Sequence, residues 1–218
     1  MKLKSLYLLA LPATLAFIGA TASAHTHGPE LHLTPGLNAN KIAQTDAAMR
    51  DLWVEHAFLV RNVVIAMAAG NNTATTAVEA EAVRNAQQIA KAMEGFYGKA
   101  GAEQLFELLA GHYGAVKQFA TANLANDTAL QDTAREAMLS NAGKLAVFLS
   151  AANPYLPIDA VRGMLLAHGG HHITQIMQLS SKNYAGEMQT WGEMKNHMYA
   201  IADAVTSALA MQFPEKFK

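Results

Sequence analysis

The sequence predicts an all-α protein in which three tandem helical hairpins form an up-down bundle. Three observations carry that expectation. The chain repeats itself: His56, His112 and His168 stand 56 positions apart, and Asn85, Asn141 and His197 follow them by 29 each. Met49/Leu105/Val161, Leu52/Leu108/Met164 and Ile89/Leu145/Ile201 align in the same register without gaps, apolar on apolar, as duplicated supersecondary units do. Apolar residues also precede each histidine by three, four and seven positions, which is the spacing of one helix face. Finally, Ala, Gln, Glu, Met and Leu dominate these stretches, and no β-alternation competes.

Six helices follow in order, over 44–69, 77–96, 102–124, 128–151, 158–180 and 185–212, in units 46–101, 102–157 and 158–213. The first carries His56 on the stripe Met49, Leu52, Trp53, Val60 and Val64, and stops at Gly70-Asn71. The second carries Asn85, Ile89 and Met93 into the turn sequence Tyr97-Gly98-Lys99-Ala100-Gly101. The third places Leu105, Leu108 and Leu109 before His112 and ends at Asn126-Asp127, and the fourth runs from Asn141 through Leu145 and Leu149 to Asn153-Pro154-Tyr155. The fifth sets Val161, Met164 and Leu165 before His168 and ends at Lys182-Asn183, and the sixth carries His197, Ile201 and Val205. Each turn falls midway between two of the polar residues. Antiparallel helices joined this way bring all six polar residues to one level, whereas a solenoid stack, the alternative arrangement, separates them.

The start of the chain reads as a secretory signal over 1–24: Lys2 and Lys4, an apolar run from Leu6 to Gly19, and Ala22-Ser23-Ala24 as the cleavage motif. Cleavage leaves a periplasmic or secreted protein without a membrane span, because no later stretch approaches 18 uncharged apolar residues. Residues 25–45, with Gly28, Pro29, Pro35 and Gly36, read as a histidine-containing arm, and 46–218 as a single helical-bundle domain. The absence of cysteine excludes disulfides, thiolate metal sites, iron–sulfur clusters and c-type haem attachment. A net charge of −1 argues against a nucleic-acid partner.

The remaining chemistry belongs to histidine. Imidazoles converging from several helices are how bundle cores build metal sites. His172 stands four residues after His168, so both rings reach one ion from the same helix face, with His56, His112 or His197 to complete the set. Imidazole suits copper and zinc, and Met67, Met164, Met177, Met194 and Met198 are soft thioethers that favour copper(I). At the mature start, His25-Thr26-His27 offers a free amine, amides and a third-position imidazole, an arrangement for square-planar copper(II) or nickel(II). The competing reading is a buried polar layer that only fixes helix register, each imidazole bonded to a neighbouring amide or carbonyl. A third is a metal-dependent hydrolase or oxidase with Glu55 or Glu193 as base. Haem, held by His197 or Met198 with Met49, has little support. Nucleophilic catalysis and phosphate binding lack their loops. Arg61 and Arg162 are expected on the rim, Trp191 and Tyr199 in packing, and the helical pair Gly169-Gly170 at a close helix crossing.

Two resemblances add to this. Leu52-Trp53-Val54-Glu55-His56 with Arg61, Phe96-Tyr97-Gly98, Phe148-Leu149-Ser150-Ala151-Ala152-Asn153-Pro154, and His197-Met198 with the ending Gln212-Phe213-Pro214-Glu215-Lys216-Phe217 resemble an uncharacterised family of exported bacterial helical proteins. Names in that family imply glycosyltransferase or acetylglutamate kinase chemistry, for which no residue here speaks. The chain departs from the family's pattern at His171-His172 and just before His197. Locally, Ala167 to Ile176 looks like the histidine helix of DinB-like metal-binding bundles, which implies His168 and His172 as ligands with a third histidine from an earlier helix. The expected function is reversible binding of copper or zinc for buffering or delivery, with a further periplasmic protein as partner.

Overall fold

The computed structural model describes residues 36–218. The signal segment 1–24 and His25 and His27 of the arm lie outside the described residues. Five helices follow: α1 (Ala39–Ala68), α2 (Asn72–Leu124), α3 (Thr128–Ala152), α4 (Ile158–Ser180) and α5 (Tyr184–Gln212), closed by a 3-10 turn at Pro214–Phe217. Among the described residues there is no strand, and no helix is long and apolar enough to cross a membrane.

Five helices replace the six expected because α2 is two rods joined at Gly98. That residue alone leaves the helical region, at φ 74° and ψ 175°, a conformation glycine adopts without a Cβ penalty. The rods then run back along one another. Lys117 pairs with Glu79, two residues equally far on either side of Gly98, and Met93 and Leu105 share one core cluster. The up-down order therefore survives the missing loop.

The first helix starts at Ala39, inside the segment expected to be an arm. Asn38 caps it, its side-chain oxygen accepting from the amides of Asn40 and Lys41 at 3.0 and 3.2 Å. The Asn38 amide also donates to the Phe217 carbonyl at 2.6 Å, and Ile42 is buried, so contacts with the chain's end order this turn.

The 56-residue period holds down to backbone torsions. Gly70, Asn126 and Lys182 all adopt positive φ, at 66°, 55° and 59°. Each closes a Schellman turn, and the next residue's amide reaches back five positions to Ala66, Ala122 or Gln178. Those next residues, Asn71, Asp127 and Asn183, cap the following helix by accepting from the amides of Ala74, Leu130 and Gly186. One two-residue device thus ends one helix and starts the next in every hairpin.

The helices close a ring: α1 packs on α2 and α5, α2 on α3, α3 on α4, and α4 on α5, with α2 and α4 also meeting across the interior. The core falls into two main apolar sections. One holds Met49, Trp53, Ile89, Met93, Leu105, Leu145, Met194 and Met198; the other holds Val60, Val64, Val116, Phe119, Met138 and Ile176. Along α1, the second half of α2 and α4, the buried histidines fall between the two.

Candidate metal centre

His56 stands on α1 between Trp53 of one core section and Val60 of the other. His112 has the same place on the second rod of α2, between Leu109 and Val116. His168 and His172 occupy successive turns of α4. All four are between 2% and 6% exposed. Each offers one ring nitrogen, and the four nitrogens lie within 4.8 Å of one another. The Nε2 atoms of His168 and His172 are 3.1 Å apart. A tetrahedral ion with bonds near 2.0–2.1 Å spaces its ligand atoms at about 3.4 Å. The α4 pair already stands near that spacing, and the other two rings need shifts of only about an ångström.

The surroundings favour neutral, ligand-ready rings. Burial pushes the His56 imidazolium down to about 4, against an opposing contribution from the Asn85 amide. Burial and the nearby His56 take His112 to about 3. His168 and His172 lie well below the ordinary range, again through burial first and through crowding by the other imidazoles second. Neutral imidazole is the form that binds metal. His56 Nδ1, His112 Nε2 and His168 Nδ1 are buried without a hydrogen-bond partner. An unmade buried bond costs about 1–3 kcal/mol, and the same layer also leaves Asn85 Oδ1 and Asn141 Oδ1 without a partner.

The other half of the expected layer has a different task. Asn85 Nδ2 donates to the Leu52 carbonyl at 3.1 Å, Asn141 Nδ2 to the Leu108 carbonyl at 3.0 Å, and His197 Nε2 lies 2.8 Å from the Met164 carbonyl. Each carbonyl belongs to the residue four before that unit's histidine. The half-step residues therefore tie neighbouring helices together one turn from the centre. His197 sits outside the group of four, its ring centre 6.5 Å from His168 and 5.5 Å from that of His171. The six polar residues resolve into three ligand candidates and three backbone clamps, with His172 added.

A buried ionic network went unread in the sequence. Arg61, expected on the rim, makes two 2.6 Å bonds to the Glu187 carboxylate, which also accepts from Gln175 Nε2 at 2.9 Å. Glu187 is 2% exposed. Burial acts to raise its carboxyl, but the bonds from Arg61 and Gln175 and the guanidinium charge outweigh that and hold it below its usual value. The available signal was Gln175, three residues after His172 on the same helix face. Arg61 also lies over Trp191, 5.6 Å from its ring centre.

Glu55 and Glu193 are exposed. Glu55 accepts from Asn85 at 3.1 Å, and Glu193 accepts from Gln189 at 3.3 Å. Met49, Met194 and Met198 belong to the apolar core. Gly169 and Gly170 do not mark a close crossing: a Cβ on either meets nothing within 4 Å. Next to the histidines the tight glycine is instead Gly111, where a Cβ would come within 3.1 Å of Asn141 Nδ2; Gly101 and Gly186 are tighter but lie at helix starts away from the centre. On the Trp53 and Leu109 side of the histidines lies a cavity of about 30 Å³, lined by His56, His112 and His168 and otherwise by apolar side chains.

No family model, curated protein or solved structure compared with the chain matches it.

Proposed function

We propose that this protein is an exported transition-metal binder whose centre is His56, His112, His168 and His172, working in reversible buffering or delivery. One observation carries the reading: four buried ring nitrogens from three helices lie within 4.8 Å of one another. Three of those rings also carry a nitrogen that no protein group satisfies.

The donor set ranks copper before zinc. All four ligands are neutral, no carboxylate joins the group, and the nearby Glu187 is already neutralised by Arg61. The ion's charge is left in an apolar interior. Burial cost grows with the square of the charge, so a monovalent copper(I) costs about a quarter of what a divalent ion does. Imidazole is an accepted ligand for copper and zinc alike. Export follows from the reading of residues 1–24, and His25 and His27 would serve as an accessory copper(II) site.

Metal analysis of untagged protein, before and after loading with copper(I) or zinc, tests this directly. One tightly held ion per chain is expected, lost in His168→Ala. Absence of any metal above background in the loaded protein would sink the reading.

The cavity favours one second reading, a metal-dependent oxidase. An apolar space of about 30 Å³ against three of the four ligands has room for a diatomic molecule beside the ion. Oxygen consumption by copper-loaded protein, abolished when Leu145→Phe fills the space, is its test.

A further inference from the structure

The third unit departs from the other two by gaining three imidazoles. His172 stands where the earlier units carry Val60 and Val116, His171 where they carry Leu59 and Ala115, and His197 where they carry Asn85 and Asn141. The centre accounts for His172. It does not account for the other two.

His197 is more than the clamp requires. Asn85 and Asn141 make the same bond to the equivalent carbonyl, at 3.1 and 3.0 Å, without a ring. What imidazole adds is a second nitrogen. With a carbonyl as its partner, Nε2 must carry a proton, so in the neutral ring Nδ1 holds the lone pair, on a ring already fixed in orientation. The His171 ring on α4 lies 5.5 Å away, and both residues are half-buried, unlike the four sealed histidines. The His197 ring is also nearly parallel to that of His168, at 16° and 6.5 Å. His171, His197 and His168 form a series of rings leading from the α4/α5 seam to the buried centre. Glu193, exposed, stands four residues before His197 on the same face of α5.

We propose that His171 and His197, with Glu193 supplying negative charge, form a loading site at the α4/α5 seam that captures a transition-metal ion and passes it to His168. The proposal rests on the metal-centre reading. Its physical reason is kinetic: an ion entering a centre sealed to 2–6% exposure must shed its water, and successive imidazoles replace that water one ligand at a time.

The test is stopped-flow uptake of cobalt(II), whose visible bands report the filling of a tetrahedral centre. His171→Ala and His197→Asn are compared with the natural chain. The second variant keeps the clamp, since it installs the residue that the other units use. Both variants are expected to take up cobalt at least tenfold more slowly while keeping the stoichiometry and affinity. Release to a chelator then slows by the same factor, because an unchanged affinity fixes the ratio of the two rates. Uptake at the natural rate in both variants overturns the loading site, and so does a loss of affinity without a change in uptake rate. If the natural chain fills with no metal at all, the centre itself fails and the loading site falls with it.

Discussion

His168 Nε2 and His172 Nε2 face each other at 3.1 Å across one turn of α4, with no charged group between them. Without a metal, one ring must donate a proton to the other. With a metal, both lone pairs point at one ion, and His56 and His112 supply the remaining positions.

His172→Val separates the centre from the fold. Valine is what the same position carries in the other two units, at Val60 and Val116, both nearly fully buried. The metal-free variant is expected to melt at or above the natural temperature, while metal affinity falls by more than the ten- to hundredfold typical of outer-shell partners. Calorimetry and metal titration read the two effects independently; equal affinity would remove His172 from the centre.

The clamps are a stability device. Asn141→Ala breaks the bond to the Leu108 carbonyl and is expected to cost about 1 kcal/mol. Denaturant unfolding measures it. Because Gly111 closely approaches Asn141, Gly111→Ala should cost a comparable amount in the natural chain, and less once Asn141 has been shortened.

Stability of the metal-free protein should fall with acid. In the unfolded chain a histidine takes a proton near 6.5, whereas folded His56 and His112 wait until about 4 and about 3. Between those values the unfolded state binds more protons, so stability is complete above about 6.5 and declines as the pH drops. The slope is about 1.4 kcal/mol per pH unit for each histidine, and His168 and His172 act in the same direction. Melting temperatures between pH 7 and pH 4.5 check this, and a flat profile would mean that these rings are already charged or exposed.

Arg61→Ala leaves the Glu187 carboxylate buried with only Gln175 as partner, a loss expected to cost about 3 kcal/mol. Joint replacement of Arg61 and Glu187 by methionine should recover most of it, since both charges then go together. A double-mutant cycle from urea unfolding gives the coupling.

Lys182 occupies at φ 59° the turn position that Gly70 fills in the first unit. Lys182→Gly should raise stability by roughly 0.5–1 kcal/mol, because a left-handed conformation costs an L-residue about that much or more. The same urea titration detects it.

Much of the site was legible in the sequence because a gapless repeat fixes register. His56, His112 and His168 had to share a level once three turns fell midway between polar residues, and the structure gives those turns a single geometry. His172 was legible from helix periodicity alone. The Arg61–Glu187–Gln175 network was not, since its members come from three helices and no spacing in the chain relates them. Nor was the loss of the second loop, because Gly98 reverses the chain by its torsions while the helical pattern continues on both sides.

The sequence by itself determined the helical hairpins, their period and the inward face of each histidine, because those follow from periodicities of a few residues and from turn chemistry. Tertiary structure alone decided which polar residues meet. Asn85, Asn141 and His197 belong to the same layer as the histidines, yet each spends its donor on a carbonyl of a neighbouring helix and none joins the four-histidine group. A helix pattern states which side faces inward; only the packed neighbours state which partner is nearest there.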